Sequence, residues 1–175
     1  LIRRLLTFSR GQAGSPVQLQ LEVLAQNMER ILRPLLGARI QLSLRLQEGL
    51  WPIRADPSQM EQVLMNLIVN ARDALPGRGT IEVEACNVSV GDADPENEIP
   101  AGSYVLLSIT DDGCGMNEEV QAHLFEPFFT TKEGEKGTGL GLATVYGIVQ
   151  QYGGRIAVAS EVGKGTSFRI YWPKA

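Results

Sequence analysis

Four short segments combine residue types and spacings that could do chemistry. In Asn66-Leu67-Ile68-Val69-Asn70-Ala71-Arg72-Asp73-Ala74 two asparagines stand four apart, which on a helix puts them on one face. An isolated helical asparagine is ordinarily a surface residue or a satisfied buried amide. Two on one stripe point instead to the wall of a site, and a neutral amide oxygen is a hard ligand of the kind Mg²⁺ takes before phosphates and water complete its shell. Asp111-Asp112-Gly113-Cys114-Gly115-Met116 has the composition of a plain turn. It also has the means to hold a flat base: a strand-end aspartate can accept from an exocyclic amine, and glycines let a ring approach the backbone. Gly137-Thr138-Gly139-Leu140-Gly141-Leu142 is a glycine turn opening a helix, where free N–H groups and the dipole suit phosphates. Flexible loops use such glycines too, and the segment is neither the lysine-containing phosphate loop nor a dinucleotide fingerprint. Phe125-Glu126-Pro127-Phe128-Phe129-Thr130-Thr131-Lys132 lies between the last two. Phe125 reads as core, while the cluster running into a polar stretch could anchor one end of a mobile lid.

Each segment needs an element to hold it. Asp56-Pro57-Ser58-Gln59 is a strong helix start, with an N-cap acceptor, proline at the first position and glutamine where a capping box wants it. The helix is expected to run to about Ala74. It buries Met60, Val63, Leu64, Leu67, Ile68 and Ala71 and shows Gln59, Gln62, Asn66, Asn70 and Asp73 on a second stripe. A strand over Tyr104–Thr110 delivers Asp111, and a helix over Gly139–Tyr152 follows the glycine turn. Leu21, Leu24, Met28, Ile31 and Leu35 predict an earlier helix closed by Gly37, with Pro34 bending or ending it early. Strands are expected over Ile40–Leu46, Trp51–Arg54, Thr80–Val90, Arg155–Ser160 and Thr166–Trp172. A short helix is expected over Asn117–Leu124 and an acidic loop over Gly91–Gly102. The sum is an α/β two-layer sandwich, one mixed β-sheet with helices on one face.

The 175 residues suit one domain with its own core. With 16 Lys and Arg against 20 Asp and Glu the net charge is −4, and the scattered basic residues do not form the footprint of a nucleic-acid binder. Cys86 and Cys114 have no metal or disulfide-scaffold spacing, so a reducing cytoplasm is the expected home. No stretch nears the ~20 apolar residues of a membrane span; an anchor elsewhere in a longer parent stays open. Leu1 to Arg10 has the spacing of the end of an amphipathic helix, and Gly11, Gly14, Ser15 and Pro16 break it. The expected division is helix end and linker over 1–15, and the main domain over 16–175.

Taken in chain order, Asn66–Ala74, Asp111–Gly115, Phe125–Phe129 and Gly137–Leu142 resemble the N box, first glycine box, F box and second glycine box of sensor histidine kinases. Gly163-Lys164-Gly165-Thr166-Ser167-Phe168 resembles that family's closing hairpin. The likeness covers Pro16 to Pro173, and the strings around Asn70 and Phe128 look most like nitrogen-regulation and hybrid-type kinases. It implies a fold shared with gyrase, a heat-shock chaperone and mismatch-repair ATPases, with ATP and Mg²⁺ bound and Met116–Lys136 as the ATP lid between the glycine boxes. It further implies that Asn70 binds Mg²⁺, that Asn66 supports the phosphates and metal, and that Asp111 pairs with the adenine amino group. Gly113 and Gly115 would line the base, with Thr166 completing its pocket. Gly137, Thr138, Gly139, Leu140, Gly141 and Leu142 would cradle phosphates, with Phe128 and Lys132 acting from the lid. A common kinase pattern has a lysine and an aromatic three and four residues after the metal asparagine; here these are Asp73 and Ala74, so Asp73 is given a structural role at the pocket.

The hydrolysing relatives carry a glutamate base where this chain has Asn66, and an amide cannot take the proton. Transfer is therefore favoured over hydrolysis. His123 is the only histidine and reads as a half-exposed helical residue, so the phosphoacceptor is expected upstream, on a dimerisation-phosphotransfer domain. The expected partners are ATP and ADP, that domain, and a response-regulator receiver, in a homodimeric parent with this chain itself monomeric. The alternatives are a nucleotide-sensing module without transfer and a serine kinase of the same superfamily.

Overall fold

The computed structural model describes residues 15–91, 98–131 and 137–175. Leu1–Arg10, the expected boundary near Gly11–Gly14, part of the acidic loop and Lys132 lie outside the described residues. In chain order the elements are β1 (Val17–Leu19), α1 (Leu21–Leu36), β2 (Ile40–Leu46), β3 (Ile53–Ala55), α2 (Pro57–Ala74), β4 (Gly79–Val90), β5 (Gly102–Asp111), α3 (Glu118–His123), α4 (Gly141–Gln151), β6 (Arg155–Glu161) and β7 (Gly165–Pro173). Five strands form one mixed sheet in the order β2-β4-β5-β7-β6. β2 and β4 are parallel, bridged by the crossover through β3 and α2, and the other neighbours are antiparallel.

Strand alternation decides which residues face the helices. Val83 and Ala85 of β4, Val105, Leu107 and Ile109 of β5, and Phe168, Ile170 and Trp172 of β7 are all buried. They join Met60, Val63, Leu64, Leu67 and Ile68 of α2 and Val145, Ile148 and Val149 of α4 in one core. Each Val, Leu, Ile, Met or Phe side chain among them contributes roughly 1.5–3 kcal/mol on leaving water. The opposite face carries Ser108, Thr110, Ser167 and Arg169, none of them buried.

Three expectations need correction. β3 is Ile53–Ala55 rather than Trp51–Arg54 and pairs with β1 in a separate two-stranded ribbon; three-residue strands are too short to show alternation. Pro34 does not end α1 early. The helix runs on to Leu36, and Gly37, at φ 76°, caps it by donating its N–H to the Arg33 carbonyl at 3.3 Å. The buried face of α1 is Leu21, Leu24, Ala25, Met28, Leu32 and Leu36, whereas Ile31 and Leu35 are 58% and 41% exposed. Steps of four from Met28 track the core, and steps through Ile31 do not.

The Asp56 N-cap of α2 is as the sequence predicts, its carboxylate accepting from the N–H groups of Ser58 at 2.9 Å and Gln59 at 3.1 Å. The capping box is not formed, because Asp56 N–H goes to the Tyr152 hydroxyl instead of the Gln59 side chain. That helix lies against α4 and is tied to it at two levels. Asn66 Nδ2 donates to the Gly141 carbonyl at 3.2 Å. At the other end the Tyr152 hydroxyl accepts from Asp56 N–H at 3.2 Å and donates to Gln59 Oε1, and Gln59 Nε2 donates to Gln151 Oε1 at 3.3 Å. The helix presenting the two asparagines and the helix following the glycine turn are thus held as one unit.

Candidate nucleotide-binding site

Asn66, Asn70 and Asp73, at steps of four and three, come to one side of α2 beside the start of α4. They line a cavity of about 270 Å³ with Met116, Val120, Leu124, Phe129, Thr130, Thr131, Gly137, Thr138, Gly139, Gly141 and Leu142. All four sequence segments therefore reach one space, the first glycine segment through Met116 alone. Leu140 stands behind the lining, its N–H 3.4 Å from Thr138 Oγ1 and its carbonyl accepting from Thr144 N–H and Oγ1–H. Phe128 does not line the cavity. It is 62% exposed, and its neighbour Phe129 takes the inward place.

Phe128 instead closes the loop on itself. It is a non-glycine residue at φ 69°, and its N–H donates to the Gly139 carbonyl at 2.8 Å. Gly139 is at φ 65°, and a Cβ there would stand 2.3 Å from the Phe128 carbonyl carbon. The aromatic segment and the glycine turn are thereby joined where the loop between them begins and ends. Gly141 differs: a Cβ on it would meet only Asn66 Cγ, at 3.9 Å, so its face is open toward the cavity.

Of the first glycine segment only Met116 lines the cavity. β5 ends at Asp111, which continues the buried row Val105, Leu107, Ile109 and is 5% exposed. Its carboxylate accepts from Gly113 N–H at 2.9 Å. Burial pushes the Asp111 carboxyl above its ordinary value, opposed by hydrogen bonds from the N–H groups of Gly113 and Thr166 and reinforced by the neighbouring Asp112 charge. Thr166 stands opposite Asp111 across the β5–β7 ladder and is 6% exposed. Neither belongs to the cavity lining, so the structure does not bring these two base-binding candidates into the space lined by Asn66, Asn70 and the glycine turn.

Gly113 and Gly115 are needed by the protein's own backbone. A Cβ on Gly113 would stand 2.6 Å from the Ala74 carbonyl oxygen, and one on Gly115 2.0 Å from that of Glu161. Cys114 N–H donates to Ala74 O at 3.0 Å, capping the end of α2, and Gly163 N–H donates to Cys114 O at 2.8 Å. The turn is thus wedged between α2 and the β6–β7 hairpin. Asp73 is held by Arg72, whose Nε and Nη2 donate to Oδ1 at 3.0 and 2.9 Å; a guanidinium therefore accompanies the carboxylate at the cavity.

Two polar residues that sequence reasoning passed over tie these pieces together. Ser160 Oγ accepts Met116 N–H at 2.8 Å, and Gln121 Nε2 donates to the carbonyls of Met116 at 3.0 Å and Ser160 at 3.2 Å. Neither had a motif to mark it. Ser160 is one of several polar residues on a half-buried strand, and only its position opposite Thr166 gives it meaning.

The donor set fits a magnesium nucleotide. Neutral amide oxygens on one helix face suit a cation whose remaining ligands are phosphates and water, and the open N-terminus of α4 beside them suits the phosphates. Comparison with known proteins agrees. Residues 55–175 match the family model described as histidine kinase-, DNA gyrase B-, and HSP90-like ATPase. The chain is 46% identical over 176 residues to the sensor kinase CckA of Brucella abortus and 41% identical over 134 residues to the sensor histidine kinase ZraS of Escherichia coli. These alignments cover 99% and 77% of the chain, but the chain spans only 19% and 26% of those proteins. Among solved structures, full-length ShkA in complex with AMPPNP superposes with a TM-score of 0.77 at 25% identity, over 99% of this chain and 35% of that one. A mycobacterial sensor histidine kinase, MprB, gives 0.70 at 27% identity, over 93% and 98%. The chain belongs to the histidine kinase-, DNA gyrase B- and HSP90-like ATPase family, and within it to the catalytic ATP-binding domains of sensor histidine kinases.

Proposed function

We propose that this chain binds ATP with Mg²⁺ between α2 and the start of α4, and that within a longer protein it presents the γ-phosphoryl group to a histidine of a dimerisation domain for relay to a receiver aspartate. The carrying observation is the meeting of Asn66, Asn70 and Asp73 with Gly137–Leu142 around one cavity. Asn70 would hold the metal, which when bound neutralises phosphate charge. Gly139 and Gly141 would bring backbone N–H groups to the phosphates, and Asp111 with Thr166 would take the base. That ShkA was solved with AMPPNP supports a nucleotide as ligand.

Asn66 supports transfer over hydrolysis. Its amide donates to the Gly141 carbonyl at 3.2 Å, so it steadies the helix start beneath the phosphates and has no basic group with which to activate water. Phosphoryl transfer asks chiefly for alignment and charge neutralisation.

The test is calorimetric titration of ATP, with and without Mg²⁺, into the chain and its Asp111→Asn and Asn70→Ala variants. Binding lost in the first, and indifferent to Mg²⁺ in the second, is the expected result. Binding unchanged by both would remove the site from this cavity.

A further inference from the structure

Ile81, Asp111, Thr166 and Ser160 stand side by side across β4, β5, β7 and β6. The last row of the helix-covered face thus turns polar over three strands. Within it the Ser160 hydroxyl has three partners. It accepts Met116 N–H at 2.8 Å, lies 3.1 Å from the Gly165 carbonyl oxygen, and lies 2.8 Å from Thr166 Oγ1.

A serine hydroxyl has one proton, and a carbonyl oxygen can only accept. The Ser160 proton is therefore given to Gly165, and the contact with Thr166 draws its proton from Thr166. With that proton committed, Thr166 Oγ1 offers only lone pairs to anything else that approaches. Asp111 beside it, when ionised, is also acceptor-only. This end of the site is thus a surface of acceptors.

We infer that Ser160 is a specificity residue: by holding the Thr166 hydroxyl as an acceptor, it makes the site favour a purine with a 6-amino group over one with a 6-oxo group. The inference rests on the reading of Asp111 and Thr166 as the base end of the site. A 6-amino group brings donors to acceptors, whereas a 6-oxo group sets lone pairs against lone pairs, the repulsive element that specificity needs. Without Ser160 the Thr166 hydroxyl is free to turn and donate, and the penalty on the 6-oxo purine falls.

The experiment is calorimetric titration of ADP and of IDP into the wild-type chain and into Ser160→Ala, Ser160→Thr and Thr166→Val. The wild type is expected to favour ADP by at least about tenfold, the scale of one mismatched buried polar contact. In Ser160→Ala that ratio should shrink roughly fivefold, chiefly through tighter IDP binding, as expected for a penalty of the same order being relieved. Ser160→Thr should restore it. Loss of the Met116 contact alone would weaken both nucleotides alike and leave the ratio where it was, and that outcome overturns the inference. A wild type that binds ADP with a preference unmoved by Ser160→Ala also sinks the inference while leaving the nucleotide reading intact. A wild type that binds neither nucleotide removes the nucleotide reading and the inference with it. Should Ser160→Ala fail to fold by circular dichroism, Thr166→Val carries the test: ADP should weaken more than IDP, and an unchanged ratio overturns the inference.

Discussion

At the scale of single residues, the base-binding role proposed for Asp111 runs against stability. Burial raises its carboxyl above the ordinary 3.8, yet the ionised form is the one able to accept from a base amine at both oxygens. Between 3.8 and the raised folded value the native state binds the proton more tightly than the unfolded chain does. Its contribution to stability is therefore fully present below 3.8 and is lost as pH rises through the folded value. Affinity for an amine-bearing base should run the other way, rising as the carboxylate ionises. Asp111→Asn separates the two effects, because an amide oxygen can still accept Gly113 N–H while the buried charge is gone. The variant is expected to melt no lower than the wild type at pH 7 and to bind ADP at least about tenfold more weakly. A clear drop in melting temperature with binding intact would make Asp111 a structural residue.

At the scale of elements, the glycines of the second glycine segment divide by what surrounds them. Gly139 is pressed on Phe128 and sits at φ 65°. Alanine there must displace backbone, so Gly139→Ala should lower both thermal stability and ATP affinity. Gly141 opens α4 with its Cβ direction free. Gly141→Ala should keep or raise stability, by up to about 1 kcal/mol of helix propensity, while weakening ATP binding through crowding of the phosphate approach. Melting curves beside titrations would show it, and equal behaviour of the two variants would contradict the division. For α2, Asp56→Ala should cost about 1 kcal/mol through the lost cap. The Ser58 hydroxyl hydrogen bond, with the two N–H donors, lowers the Asp56 carboxyl. The cap's contribution is thus present above 3.8 and lost as pH falls through the lower folded value. Urea titrations at pH 7 and at pH 3 should show the difference between wild type and variant shrinking at the lower pH.

The same elements explain what sequence alone could and could not convey. α2 was legible to its ends because cap, proline and apolar stripe all agree, and β2, β4, β5 and β7 were legible because each has one buried face. The burial of α1 was misread because Ile31, Leu32, Leu35 and Leu36 are all apolar, and only the partner surface selects among them. β1 had no local signal and β3 was read two residues early and ended one residue short, because each is three residues long and its bounds are set by pairing with the other. Within the site, Asn66, Asn70 and the glycine turn announce themselves by spacing, but Ser160 and Gln121 act through register and reach. That information lies in the pairing of β6 with β7 and in the approach of α3, not in the local string.

At the scale of the whole molecule, the one histidine in the sequence is His123, and its setting argues against its being a phosphoacceptor. Its ring Nδ1 is 2.8 Å from Glu126 Oε1, and the ring packs on Phe129 at a centroid distance of 5.7 Å. On α3 it is set about 100° around the helix from Leu124, which faces the cavity. His123 is exposed and is absent from the cavity lining where Asn70 and Gly139 would place a γ-phosphoryl group, and the Glu126 carboxylate stands beside its imidazole. Incubated with radiolabelled ATP and Mg²⁺, the chain alone should therefore bind nucleotide without accumulating acid-labile phosphate. Supplying a dimerisation segment that carries an acceptor histidine should produce such label, Asn70→Ala should suppress it, and His123→Ala should leave it unchanged. Label on the isolated chain that disappears in His123→Ala would overturn this picture, because the pocket would then have to open far enough to deliver phosphate to its own lid.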